Sequence, residues 1–257
     1  MVGEQTTEES RAVGRIAPRV RRGLRRIRRL LGDSPIFLPI VLRATPLGTS
    51  RRIRPSTQIV VEGFPRSGNT YAAFVMRYLL NDSSGAVVAS QVHTPSQVRL
   101  AVARSVPTLV VIRRPDDAVS SLLVAAPHVS ARSALNEWIH HYEILVPLAE
   151  QFVVASLPEL ISDMPMVLRR LTDRFGPLVD VARWTAESTA VVHDAMVTHH
   201  HDTHAGEPTT APWPMEHRLV MHGTAQRQLT DPLLAGLRRR ADTIFAMYLE
   251  LAARRSP

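Results

Sequence analysis

The stretch "IVVEGFPRSGNTYAAFVMRYL", Ile59 to Leu79, decides how this chain folds. Ile59, Val60 and Val61 form a β-branched apolar run of strand character, and a helical pattern opens after Gly68. Between them, Gly63 and Gly68 bracket a short loop whose backbone can turn tightly. A strand feeding a glycine loop that opens a helix aims backbone N–H groups and the positive helix end at one point in space. That arrangement suits a phosphate or a group shaped like one, and the hydroxyls of Ser67 and Thr70 add donors.

The same order repeats outward from this point. Apolar, β-branched runs lie at Gln58–Val61, Ala86–Ala89, Thr108–Ile112 and Phe152–Ala155, with helical patterns near 70–80, 95–104, 116–124 and 131–149 between and after them. Continuous hydrophobic strands alternating with helices predict an α/β fold: three layers, P-loop-like, with a central parallel β-sheet flanked by helices. A helix ending at Gly176-Pro177 and a last one opening at Asp231-Pro232 complete the pattern. Residues 51–257 read as this α/β domain, and residues 1–50 as a basic extension, part disordered tail and part amphipathic helix.

Composition narrows the chemistry. The 257 residues carry a net charge of +8 and no cysteine, which excludes disulfides, thiolate metal sites and cysteine nucleophiles. All 31 basic residues are arginine. Permanently charged guanidinium must therefore do any oxyanion binding, and no lysine is present to act as base or nucleophile. This composition fits a GC-rich bacterial genome. No apolar run approaches the length of about 18 residues that a membrane span needs, so a cytoplasmic location is expected.

Residues 11–31 hold nine arginines and no acid, with Val13, Ile16, Val20, Leu24, Ile27 and Leu31 at helical steps. Two readings stay open: peripheral contact with an anionic membrane at its inner face, or an arm folded onto the domain. Nucleic-acid binding is not expected, because no aromatic residue is interleaved there for stacking.

A nucleotide-triphosphate loop would read G-x-x-x-x-G-K-[ST], and Asn69 stands where its lysine belongs. Nor does an acid end the run Thr108–Ile112 to hold magnesium. A second motif, "LVVIRRPDDAVSS" from Leu109 to Ser121, sets Arg113 at a strand end and Ser121 two helical turns later, so both can converge on one phosphate.

The string "GFPRSGNTY" resembles the 5′-phosphosulfate loop of sulfotransferases that use 3′-phosphoadenosine 5′-phosphosulfate (PAPS). The resemblance implies that Arg66 grips the phosphosulfate, that Ser67, Gly68, Asn69 and Thr70 wrap the 5′-phosphate, and that Tyr71 stacks on adenine. It also implies that Arg113 and Ser121, within Arg-x-Pro-x-Asp-x-x-x-Ser, bind the 3′-phosphate. In "QVHTPSQ", His93 falls on the position of the family's catalytic base, while Gln91 replaces a lysine. The implied co-substrate is PAPS, the product 3′,5′-ADP, and no metal is required. The acceptor is a hydroxyl or amine of a small molecule, lipid or glycan. The alternatives are a P-loop small-molecule kinase and a non-catalytic nucleotide- or anion-binding protein. "HDAMVTHHHDTH", His193 to His204, is expected to form a mobile loop or acceptor-site lid rather than a metal site.

Overall fold

A computed structural model describes residues 51–83, 86–204, 211 and 216–253. The basic segment 11–31 lies outside the described residues. Four strands, β1 (Ile59–Glu62), β2 (Val88–Ser90), β3 (Thr108–Ile112) and β4 (Val153–Ser156), form one parallel sheet in the order β2-β1-β3-β4. Alternation along the strands feeds two cores. On β3, Leu109 and Val111 face one layer while Val110 and Ile112 face the other, and all are buried. Strands whose interiors are continuously apolar are thus what a sheet covered on both faces requires.

The first layer contains α1 (Asn69–Leu79), α5 (Leu157–Ser162), α6 (Met164–Phe175) and α7 (Ala186–His204). The second contains α2 (Pro95–Ala103), α3 (Pro115–Ala125), α4 (Ala131–Glu143), α8 (Glu216–Leu229) and α9 (Ala235–Ala253). Helix starts follow local chemistry. Pro115 opens α3 with Asp116 and Asp117 in its first turn, where the helix dipole favours acids. Ser156 and Glu159 form a reciprocal capping box at α5. Asp163 caps α6, its carboxylate accepting from the Met166 N–H. At the far end of α6, Gly176 takes φ of 83°, which an L side chain rarely adopts.

A column of aromatic rings ties the second layer together. Trp138 and Tyr142 lie 4.6 Å apart and Tyr142 and Tyr248 5.4 Å, measured between ring centroids. The Tyr248 hydroxyl donates to the Tyr142 carbonyl at 2.8 Å, pinning α9 to α4.

The histidine-rich stretch is corrected by the structure: His193 to His204 is the C-terminal part of α7, not a loop. Ser188, Val192, Met196 and His200 are buried at successive four-residue steps and turn one face inward. Among the described residues no group of three or more histidines and acids is arranged to hold a metal. Nor is any described helix long and apolar enough to cross a membrane.

Candidate functional site

The strand order creates the site. From β1 the chain passes through α1, in the first layer, out to β2; from β3 it passes through α3 and α4, in the second, out to β4. Beyond the carboxyl ends of β1 and β3 the two directions diverge, leaving the crevice in which open α/β sheets bind ligands. The loop 63–68 leaves β1 on one side of this crevice, and Arg113 leaves β3 on the other.

Gly63 lies so close to β3 that an added Cβ would sit 2.1 Å from the Val111 carbonyl oxygen. Arg66 and Gly68 take positive φ of 70° and 107°. Such left-handed turns gather peptide N–H groups around an anion. Helix α1 starts at Gly68 with no side-chain cap and no acid in its first turn, which keeps its dipole available to an outside anion.

The residues of the loop divide into two groups. Ser67 and Asn69 are buried and face inward. Asn69 Nδ2 donates to the carbonyls of Gly63 (3.1 Å) and Phe64 (2.9 Å), so the side chain at the lysine position staples the loop to itself. The Ser67 hydroxyl meets Tyr142 Oη at 3.3 Å, and the Ser67 N–H closes a turn on Phe64 at 3.2 Å. Arg66, Thr70 and Tyr71 are half-buried, and Tyr71 packs against the first-layer core. Burial also raises the Tyr71 phenol above its usual range.

The two sequence motifs meet. Arg66 Nε donates to Ser121 Oγ at 3.0 Å, and Arg113 Nη1 donates to the Arg66 carbonyl at 3.1 Å. A further Arg66 bond, from Nη2 to the Ala211 carbonyl at 2.7 Å, brings that residue over the cluster. The sequence reading divides Arg66 from Arg113 and Ser121 between two phosphates; here they share one cluster. Arg113 is held below the usual guanidinium range by burial, partly offset by Asp117.

Three buried residues behind the site stand outside the sequence motifs. Tyr142 is fully buried, donates to the Val111 carbonyl at 2.8 Å and accepts from the Phe64 N–H at 3.2 Å, so a residue 78 positions away braces the loop. Glu62, the acid that ends β1, is buried completely and accepts from the N–H groups of Val92 (2.7 Å) and His93 (3.0 Å) and from Gln97 Nε2 (3.1 Å). These bonds hold the segment after β2, where Gln91 and His93 both take left-handed φ, of 63° and 57°. An acid closing an apolar strand is a signal that sequence reading can use. His93 Nδ1 lies 3.1 Å from the Gly63 carbonyl. A carbonyl only accepts, so Nδ1 carries the proton and the basic lone pair sits on Nε2. Gln91 Nε2 reaches Thr70 Oγ1 at 3.4 Å, linking the His93 segment to α1.

His141 is the third. It is buried against Phe64 and Tyr142, and no hydrogen-bond partner meets its Nε2 among the described residues. Burial first, then the neighbouring His93 and His140, lowers its pKa to about 3. The unfolded chain protonates this ring near pH 6.5 and the folded chain only near 3, so its effect is absent above pH 6.5 and destabilises progressively below it. Between pH 7 and 5, wild type should lose about 2 kcal/mol more unfolding free energy than His141→Phe, by urea titration. Equal losses would show that the ring takes up its proton without unfolding.

No protein-family model matches this chain, and no curated protein matches it in sequence. The fold and loop define an α/β protein with a glycine loop at the switch point of a parallel sheet. Among solved structures, mouse sulfotransferase SULT7A1 complexed with PAP aligns at 12% identity and a TM-score of 0.43, over 78% of this chain and 87% of that one.

Proposed function

We propose that this chain is a sulfotransferase that moves a sulfuryl group from PAPS to a hydroxyl or amine of an acceptor. The observation that carries the reading is the meeting of Arg66, Arg113 and Ser121 beside an uncapped helix start, with His93 hydrogen-bonded to the same loop. Two guanidinium groups and a helix end at one crevice fit an anion of more than one phosphate-like group. In this reading the loop amides around Gly68, with Thr70, hold the 5′-phosphate, Tyr71 faces the adenine, and Ser67 and Asn69 keep the loop in shape.

The chemistry follows from these positions. His93 Nε2 takes the acceptor proton as the acceptor oxygen bonds to sulfur in line with the bond that breaks. The leaving oxygen, on the 5′-phosphate of 3′,5′-ADP, gains charge, and Arg66 with the loop amides stabilises it. Glu62 keeps the His93 backbone in its left-handed turn and so positions the base. A bacterial, cytoplasmic enzyme, held at an anionic membrane through residues 11–31, belongs to the same reading and rests on sequence alone.

The test is ligand-induced stabilisation followed by assay. 3′,5′-ADP without magnesium should raise Tm more than ATP with magnesium, and PAPS should support transfer to some member of a broad acceptor panel. The reverse order of Tm gains identifies a kinase. Binding without turnover identifies a nucleotide-binding protein. Arg113→Ala should weaken 3′,5′-ADP by about 10- to 150-fold and leave 5′-AMP nearly unchanged, since one charge-assisted bond contributes about 1.5–3 kcal/mol. Equal loss for both nucleotides removes Arg113 from the 3′-phosphate.

A further inference from the structure

A second cationic group lies along α1, away from the Arg66 cluster. Thr70, Phe74 and Arg77 fall at i, i+4 and i+7 and form a half-buried stripe on one face of the helix. Arg77 lies over the Phe74 ring at 5.4 Å from its centroid, and the ring of His199, from α7, lies 5.4 Å from the same ring. Arg51 lies in the chain before β1. Its carbonyl accepts from Gln97 Nε2 at 2.8 Å, the same amide that donates to Glu62.

The carboxylates nearest these cations are already engaged. Asp82 accepts the backbone N–H groups of Ala86, Val87 and Val88, each at 3.0 Å. Glu62 is committed to Val92, His93 and Gln97. Among the described residues no carboxylate forms an ion pair with Arg51 or Arg77, and the buried Arg77 Nε meets no acceptor. The groups also feel one another. Burial lowers Arg77, Asp82 opposes this, and Arg51 adds to the lowering. Burial, then Arg77 and Arg51, lowers His199. Half-buried cations that repel one another and leave a buried donor unmet form a receptor for an anion.

We propose that Arg51, Arg77 and His199 bind an anionic group, carboxylate or phosphate monoester, carried by the acceptor. Seven residues of α1 separate Thr70 from Arg77, about 10 Å at 1.5 Å per residue. On this assignment the anionic group of the acceptor lies about 10 Å along α1 from Thr70. This assignment of the anion to the acceptor rests on the sulfotransferase reading; the anion site itself does not.

The experiment titrates inorganic phosphate and, separately, acetate into the full chain saturated with 3′,5′-ADP, following His199 and the α1 amides by NMR. Wild type should bind at least one of the two, and the stronger identifies the chemistry. Arg77→Gln and Arg51→Gln should each weaken that anion by about 10- to 150-fold and leave 3′,5′-ADP affinity unchanged. Arg51→Gln keeps the test valid should loss of the Arg77–Phe74 contact disturb α1. No binding of either anion, or equal binding in both variants and wild type, overturns the proposal. Failure of 3′,5′-ADP to bind refutes the sulfotransferase reading instead, and the anion titration without nucleotide, compared between wild type and variants, still reads the Arg51–Arg77 site.

Discussion

On the proposed sulfotransferase reading, replacing His93 with asparagine is expected to lower kcat for sulfuryl transfer by about 10²- to 10⁴-fold, the range for loss of a general base. Binding of 3′,5′-ADP should not change. Asparagine is the informative replacement because His93 sits at φ of 57°, a conformation asparagine tolerates better than most residues. The loop geometry is then retained, and the loss reports on the ring. The basic nitrogen is Nε2, because Nδ1–H is engaged by the Gly63 carbonyl. A carboxylate base elsewhere in the crevice would instead leave kcat within a few-fold of wild type, and that result would remove His93 from the chemistry. Steady-state kinetics with a saturating donor separates the two outcomes, because a fall in kcat without a rise in KM marks a group acting only in the transition state.

The second large effect is on folding. Gly63→Ala should cost about 3 kcal/mol or more in urea unfolding, the upper end of ordinary overpacking. The new Cβ would stand 2.1 Å from the Val111 carbonyl oxygen and 2.8 Å from Asn69 Oδ1. The first neighbour is backbone of a central strand and cannot move aside cheaply. The second belongs to the side chain that staples the loop. Gly236→Ala, in the first turn of α9 with nothing within 4 Å, is the contrast: it should be neutral or stabilising by up to about 1 kcal/mol. Matching losses at both positions would show that the close β1–β3 approach is not a constraint on the fold.

The strand-and-helix order was legible because the interiors of the buried parallel strands are apolar and β-branched, with polar residues only at their ends, such as Glu62 and Thr108. The glycine loop was legible for a related reason: Gly63 and Gly68 stand where a side chain would clash or strain the backbone. Helix α7 was misread because its inward face is sparse. Ser188, Val192, Met196 and His200 include only two aliphatic residues, so burial comes from contact with α1 rather than from a visible apolar stripe.

What the sequence determined by itself was local: the β1–loop–α1 unit, the Arg113–Ser121 spacing, and the absence of lysine and cysteine. These follow from periodicity, backbone sterics and side-chain chemistry, all confined to neighbouring residues. Only the tertiary structure decided that Arg66 meets Ser121 across 55 positions, that Tyr142 braces the loop, that Glu62 turns inward to hold His93, and that Arg77 and His199 both meet the Phe74 ring. Those contacts depend on which strands become neighbours and which layer each helix joins, and no local pattern encodes the distance between residues brought together by a crossover.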